Sequence, residues 1–201
     1  FLSVSSDRTV TTRPIKGTRP RGSTLESDVA LREELLVSEK ERAENLMIVD
    51  LMRNDLARVC EVGTVEVPEL LVVEEYATVH QLVSTVTGRL REEVDVMDVL
   101  DATFPAGSMT GAPKRRAVEI LAEMESGPRG LYSGTFGVWR ADGSAEFAMT
   151  IRTAVVADEA LTLGVGGGIT ALSEPHEEVR EVGIKASGFL SALGVNQVGY
   201  S

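Results

Sequence analysis

The chain is poor in cysteine, in aromatic residues and in positive charge, and it has no long apolar run. A single cysteine, Cys60, excludes an internal disulfide and is typical of a reducing compartment. No apolar stretch approaches the length of a membrane-spanning helix. Its 31 acidic residues outnumber the 20 basic ones, and the net charge of −11 argues against nucleic acid as a partner. We therefore predict a cytoplasmic protein with no membrane partner, whose acidic surface suits a metal cation or a basic protein.

What the chain does have is a composition that can build a core. Its 201 residues are 43% hydrophobic and 25% charged, which is typical of one globular domain or two small ones. The opening residues Phe1 to Val4 resemble a strand interior rather than a natural N-terminus, so we expect a piece of a longer protein. We predict one domain over residues 1–194 and a C-terminal tail over 195–201.

Strands and helices follow one another without βαβ alternation, which predicts a layered α+β fold. The predicted strands are a hairpin over 1–16, short runs within 62–86, and three antiparallel strands at 130–140, 145–156 and 160–165, the last two joined by a turn at Asp158-Glu159. The predicted helices are 25–57, 94–104, 113–124 and 175–193, with 17–24 as a loop. Ser38 and Glu41 form a possible capping box within the first helical region.

The segment Arg13-Pro14-Ile15-Lys16-Gly17-Thr18 places a lysine between residues that restrict or free the backbone. Pro14 fixes its own φ and favours an extended residue before it, whereas Gly17 permits a sharp turn or the close approach of a ligand. The pattern predicts that Lys16 is held at the end of a strand. The alternative is a surface lysine beside a turn.

Two pairs of glutamates recur with a spacing of three residues. Glu41 and Glu44 share one face of the first predicted helix, and Glu44 continues an apolar stripe, where a carboxylate needs a partner. Glu178 and Glu181 have the same spacing on the last helix. Such carboxylates suit a hard cation such as Mg²⁺, which prefers oxygen ligands. The alternative is surface salt bridges, for example between Glu181 and Lys185, four residues apart.

Three further stretches place polar chemistry in apolar surroundings. The run Gly164 to Gly168 follows a predicted strand, and its N–H groups suit an anion such as a carboxylate, although tight bends use the same residues. Arg152 lies in a predicted apolar strand, where it either faces solvent or pairs with an anion. His80 lies in another predicted strand, where packing in the core is the common outcome.

Together these motifs resemble the C-terminal catalytic part of the chorismate-utilising enzymes, which include anthranilate, aminodeoxychorismate, isochorismate and salicylate synthases. The matching motifs are Arg-Pro-Ile-Lys-Gly-Thr-Arg-Pro-Arg-Gly (13–22), Glu-Arg-Ala-Glu-Asn-Leu-Met-Ile-Val-Asp-Leu-Met-Arg-Asn-Asp-Leu (41–56), Val-His-Gln-Leu-Val-Ser (79–84), Phe-Pro-Ala-Gly-Ser-Met-Thr-Gly-Ala-Pro-Lys (104–114), Ile-Arg-Thr-Ala (151–154) and Glu-x-x-Glu-x-x-x-Lys (178–185). They cover almost the whole chain in family order. The resemblance implies an α+β fold with two large, mostly antiparallel sheets packed between outer helices.

The resemblance also implies roles for individual residues. Glu44 and Glu181 match direct Mg²⁺ ligands, and Glu41 and Glu178 match second carboxylates that act through water, so that the metal would hold the ring carboxylate of chorismate. Lys16 and His80 are the implied catalytic residues. The implied substrate-binding residues are Thr18, Tyr132, Arg152, Gly166, Gly167 and Lys185. Among them, Tyr132 and Arg152 match residues that hold the enolpyruvyl carboxylate.

Lys16 indicates the branch of the family. Anthranilate-forming members usually carry alanine at this position, whereas aminodeoxychorismate-forming members carry a lysine that attacks the chorismate ring. The resemblance therefore implies Mg²⁺-dependent amination of chorismate to 4-amino-4-deoxychorismate in folate biosynthesis, with ammonia from a glutamine amidotransferase subunit or fused domain. The family's general-acid glutamate is expected upstream of Phe1. The alternatives are an anthranilate synthase component and a non-catalytic fragment that binds chorismate and Mg²⁺.

Overall fold

The computed structural model describes residues 1–157 and 160–194, which form two compact units. The first unit comprises Phe1–Gly127 and Phe136–Ala148, and the second comprises Pro128–Thr135 and the described residues from Met149 onward. The predicted turn at 158–159 and the predicted tail at 195–201 lie outside the described residues. Within the described ranges, no helix is long and apolar enough to cross a membrane.

A seven-stranded sheet is the frame of the first unit. Its strands are β1 (Leu2–Val4), β2 (Thr9–Thr12), β3 (Ile15–Pro20), β4 (Glu66–Glu75), β5 (Val79–Arg89), β6 (Thr135–Trp139) and β7 (Ala145–Met149). Strand β5 is central, because one edge pairs with β4 and the other pairs with β2 and then β3, all antiparallel. Strands β1, β7 and β6 continue the sheet beyond β2.

The helices of the first unit are α1 (Leu25–Val37), α2 (Glu39–Ala57), α3 (Val96–Thr103) and α4 (Lys114–Met124), with a short 3₁₀ turn at Gly107–Met109. The region predicted as one helix is divided at Ser38, which has ψ 111° and cannot continue α1. Its hydroxyl accepts the Glu41 N–H of α2 at 3.5 Å, so Ser38 does cap a helix as predicted.

The hydrophobic core of the first unit lies between the sheet and helices α2 and α3. Helix α2 contributes Ile48, Val49, Met52 and Leu56, which pack with buried strand residues such as Val86. This packing supplies most of the stability of α2, because helices in proteins are stabilised mainly by the tertiary packing of their apolar face. The single cysteine lies in the same core, and burial raises the pKa of its thiol to about 11, which is typical of a structural rather than a nucleophilic thiol.

The second unit contains the hairpin of β8 (Ala154–Ala157) and β9 (Ala160–Leu163), followed by helix α5 (Pro175–Ala192). Pro175 stands in the first turn of α5, where its missing N–H leaves no partner unsatisfied. With the large antiparallel sheet of the first unit, this hairpin and the helices confirm the predicted α+β class.

The structure differs from the strand predictions in four places, one of which is that the strand expected at 130–140 begins only at Thr135. The short strands expected within 62–86 are two long strands, β4 and β5. The loop expected at 17–24 is wrong in its first half, because β3 extends to Pro20 and pairs with β5. The strand expected at 145–156 is interrupted at 150–153, where Arg152 has φ 51°.

Candidate active site

Lys16 lies in a β-bulge at the start of β3, next to the first residue of the strand. Ile15 lies opposite Val83 and Thr18 lies opposite Gln81, so β3 uses three steps where β5 uses two. The extra residue falls at Lys16-Gly17, and Gly17 adopts φ 87°, which favours glycine. A bulge of this kind redirects a side chain out of the regular alternation of the strand.

The side chain of Lys16 meets Glu44 of α2. The Lys16 Nζ lies 3.3 Å from the Glu44 Oε2, and the two side chains are only 18% and 9% exposed. Glu44 is buried on α2, as its position on the apolar stripe predicted, and the lysine is the partner that a buried carboxylate requires. The residue predicted as nucleophile and the residue predicted as metal ligand are thus direct neighbours.

Glu41 lies one turn before Glu44 and faces the same strand. Its Oε1 is 3.6 Å from the Arg19 Nη1, and Arg19 also donates to Glu34 at 2.8 Å. Thr18 lies between Lys16 and Arg19 on β3 and remains exposed. Strand β3 and helix α2 therefore bring together Lys16, Glu41 and Glu44, with Thr18 on the same strand.

Asn45 of α2 holds these residues in place through buried hydrogen bonds. It was not identified from the sequence. It is fully buried, and its amide donates to the carbonyls of Pro14 (3.4 Å) and Leu82 (3.3 Å). The Ser84 hydroxyl donates to the Asn45 carbonyl at 2.6 Å. The network ties α2 to the residue two places before Lys16. A polar residue on the buried stripe of α2 was the signal that could have identified it.

Gly17→Ala tests how closely the bulge is packed against the helices. A Cβ at Gly17 would lie 2.7 Å from the Leu35 Cδ1 and 3.0 Å from the Glu41 carboxylate, in addition to the unfavourable φ. We expect a loss of about 1–3 kcal/mol in the free energy of unfolding, measured in urea. Gly63→Ala is the matched control, since Gly63 has φ 84° but nothing within 4 Å of its added Cβ. Equal losses in the two variants would show that a Cβ at position 17 fits without a steric clash.

His80 has a separate partner on α1. Its side chain is fully buried in β5, and its Nε2 lies 2.9 Å from the Asp28 Oδ1. Arg21 donates to both Asp28 oxygens, from Nε at 2.8 Å and from Nη2 at 2.6 Å. These contacts hold the pKa of the Asp28 carboxyl well below its usual range, chiefly through Arg21 and then the Gly22 N–H. Asp28 and Arg21 were not identified from the sequence.

In the second unit, Tyr132 lies under the glycine run. A Cβ at Gly164 would fall 2.4 Å from the Tyr132 ring, and one at Gly166 would fall 2.8 Å from its hydroxyl oxygen. A Cβ at Gly167 would lie 3.0 Å from the Glu178 Oε2. The glycines are therefore required by the close approach of two predicted site residues, and Glu178 is buried.

Lys185 joins the glycine run to helix α5. Its Nζ donates to the Gly166 carbonyl at 3.0 Å and forms an ion pair with the Glu181 Oε1 at 2.5 Å. Arg152 donates to the Lys185 carbonyl at 3.3 Å, with an exposed side chain. Its predicted place inside a strand is wrong, since it lies in the interruption between β7 and β8. The second unit brings together Tyr132, Gly166, Gly167, Glu178, Glu181, Lys185 and Arg152.

The acidic residues of both units have the donor chemistry of a hard-cation site. Each unit supplies two glutamates one helical turn apart, Glu41 with Glu44 and Glu178 with Glu181, and carboxylate oxygens suit Mg²⁺. Among the described residues, no group of three or more His, Cys, Asp or Glu side chains is placed to hold a metal ion. In each unit a lysine occupies the position of a counter-ion, Lys16 at Glu44 and Lys185 at Glu181.

Comparison with known proteins assigns the family. The family model for chorismate binding enzymes matches residues 1–191, and the chain belongs to this family. It is 52% identical over 193 residues to an aminodeoxychorismate synthase from Streptomyces pristinaespiralis. The match covers 96% of this chain and 27% of that protein. It is 49% identical over 189 residues to anthranilate synthase component 1 from Saccharolobus solfataricus. This match covers 94% of this chain and 45% of that protein.

A solved structure agrees with the fold. The crystal structure of anthranilate synthase component I from Streptococcus pneumoniae TIGR4 matches with a TM-score of 0.77 and 38% identity, over 92% of this chain and 40% of that one. The chain thus spans about a quarter to less than half of the relatives it matches. The family predicted from the motifs is confirmed.

Proposed function

We propose that the protein aminates chorismate to 4-amino-4-deoxychorismate, in a Mg²⁺-dependent reaction that passes through a covalent Lys16 intermediate. The observation that carries the proposal is the Lys16–Glu44 pair, in which a bulge directs a primary amine at a glutamate of the predicted metal site. The 52% identity to an aminodeoxychorismate synthase supports the same branch of the family. The reaction belongs to the synthesis of para-aminobenzoate and folate in the cytoplasm, with ammonia supplied by a glutamine amidotransferase subunit or fused domain.

Lys16 has the nucleophilic role in this proposal. Its neutral amine forms a bond to C2 of the ring, the double bonds shift, the C4–O bond breaks, and the hydroxyl leaves as water with the proton that the newly bonded lysine nitrogen loses. Ammonia then forms a bond to C4, the double bonds shift back, the C2–N bond to lysine breaks, and the lysine nitrogen takes up the proton that the added ammonia loses. Lys16 forms an ion pair with Glu44 in the substrate-free chain, so its amine must release a proton to solvent before it attacks the ring.

The other predicted residues bind and orient the substrate. Bound Mg²⁺ would hold the ring carboxylate and neutralise its charge, with Glu44 and Glu181 as direct ligands and Glu41 and Glu178 acting through water. The residues proposed to hold the rest of chorismate are Thr18, Tyr132, Arg152, Gly166, Gly167 and Lys185. An exposed arginine such as Arg152 is suited to bind a carboxylate with two parallel hydrogen bonds.

Calorimetry with Mg²⁺ and chorismate tests the metal and substrate sites together. We expect Glu44→Gln and Glu181→Gln each to weaken metal-dependent chorismate binding by about tenfold or more. Glu177→Gln is the matched control on α5, because Glu177 is exposed and pairs with Arg180. Unchanged affinity in both site variants would refute the metal site.

Product analysis separates the candidate activities. With chorismate, Mg²⁺ and ammonium, chromatography should detect 4-amino-4-deoxychorismate. Anthranilate as the product would assign the second candidate, which the 49% identity to an anthranilate synthase component favours. Binding of chorismate without any product would identify a chorismate-binding fragment.

A further inference from the structure

The environment of His80 determines which of its ring nitrogens carries hydrogen. The Nε2 faces the Asp28 Oδ1 at 2.9 Å in the interior of the first unit. A carboxylate accepts hydrogen bonds and cannot donate one, so Nε2 must be the donor as long as Asp28 is ionised. The ionised Asp28 therefore selects, of the two neutral tautomers of His80, the one with hydrogen on Nε2.

Asp28 is held in its ionised form from several directions. Arg21 binds both carboxylate oxygens, and the Gly22 N–H donates to Oδ1 at 2.7 Å. Asp28 also stands in the first turn of α1, where the helix dipole favours negative charge. Arg21 is in turn oriented by the Tyr76 carbonyl, to which its Nη1 donates at 2.8 Å. The carboxylate is thus fixed in both charge and direction.

The other ring nitrogen of His80, Nδ1, has a different environment. Nδ1 of His80 is buried and has no hydrogen-bond partner among the described residues. A buried polar atom without a partner costs about 1–3 kcal/mol, and most buried polar atoms in proteins are satisfied. The Nδ1 of His80 is an exception to this rule.

We propose that Asp28, clamped by Arg21, is a positioning residue that keeps hydrogen on Nε2 of His80 and leaves Nδ1 as the atom that accepts a hydrogen bond or a proton from the substrate. The inference rests on the proposed function, because it concerns the part that His80 takes in that reaction. The ligand group that Nδ1 selects is a donor, namely a hydroxyl or an N–H.

Nitrogen NMR of the ¹⁵N-histidine-labelled chain measures the tautomer directly. The chain has two histidines, and His176→Gln assigns the signals of His80. Without substrate, we expect an unprotonated Nδ1 and a slowly exchanging proton on Nε2. In Asp28→Asn, that proton should shift and exchange faster, because the charged acceptor is lost. Glu26→Gln is the control, since it removes an exposed charge from the same first turn of α1.

The same spectra separate this inference from the proposed function. Addition of chorismate and Mg²⁺ should shift the Nδ1 signal in the wild type, while calorimetry reports binding independently. A proton on Nδ1 in the substrate-free wild type, or an Nε2 signal unaltered in Asp28→Asn, would overturn the role of Asp28. If chorismate binds and the Nδ1 signal stays in place, the substrate contact is refuted. If chorismate does not bind, the proposed function fails, whereas the substrate-free spectrum still decides the tautomer. Asp28→Glu, which retains the carboxylate, should restore part of the Nε2 signal if the Asn variant folds poorly.

Discussion

Lys16→Ala should abolish the formation of 4-amino-4-deoxychorismate and divert the product towards anthranilate. The reason is that the amine is the only group proposed to attack C2, and without it ammonia can attack that carbon directly. Position 16 would then carry the alanine that the resemblance implies for anthranilate-forming members of the family. We expect the loss of the original product to be essentially complete, because no other residue is assigned this step.

Mass spectrometry supplies the decisive measurement for this variant. The full-length protein, including the segment upstream of Phe1, should gain mass at Lys16 when given chorismate and Mg²⁺ without ammonia, and its Lys16→Ala variant should gain none. Lys16→Arg is a sharper control, since a guanidinium keeps the charge beside Glu44 but stays protonated and cannot act as a nucleophile. Normal amounts of 4-amino-4-deoxychorismate from Lys16→Ala would show that the lysine only shapes the pocket.

Lys114→Met should cost about 3–5 kcal/mol of the free energy of unfolding, because it leaves a buried carboxylate without its partner. The Lys114 Nζ donates to the Asp55 Oδ2 at 2.6 Å and to the Thr103 carbonyl at 3.0 Å. The Asp55 side chain is only 4% exposed. Burial raises the pKa of the Asp55 carboxyl above its usual value even with the lysine present.

The loss of stability expected in Lys114→Met depends on pH. A carboxyl with a raised pKa in the folded state binds protons more tightly there than in the unfolded chain. The stability that it contributes is present below the unfolded pKa and is lost as the pH rises through the folded one. Removal of Lys114 should enlarge this loss, so the cost measured in urea should be smaller in acid than at neutral pH.

A double variant isolates the charge at Asp55. Asp55→Asn combined with Lys114→Met removes both charges and should recover much of the stability lost in Lys114→Met alone. A cost below about 1 kcal/mol in the single variant, the range of exposed pairs, would mean that water reaches Asp55.

Local patterns in the sequence were sufficient to predict the helices and the carboxylate on the stripe of α2. The buried positions of α2 recur at 44, 45, 48, 49, 52, 55 and 56, a spacing that is typical of a helix packed against a core. Ser38 was identified as a cap because its short side chain competes for backbone N–H groups in any context. These signals reside within a few residues and need no tertiary partner.

The long-range contacts that build the site cannot be predicted from such local patterns. Asp28 and His80 are 52 residues apart, and Asn45 and Ser84 are 39 apart, so neither periodicity nor spacing connects them. The segment from Gly17 resembled a loop because glycine, proline and arginine are weak strand formers, yet pairing with β5 overrides that preference. Arg152 was misplaced for the converse reason, since its apolar neighbours predicted a strand that the backbone interrupts.

The bulge at Lys16-Gly17 has a consequence for how this scaffold diversifies. The pairs on either side of it, Ile15 with Val83 and Thr18 with Gln81, are held by neighbours that do not depend on the side chain at position 16. The residue at position 16 can therefore be exchanged while strands β3 and β5 keep their pairing register. On the proposed function, a change of reaction on the shared substrate would require no new architecture, and a single substitution at position 16 would be enough to move the chain between two branches of the family.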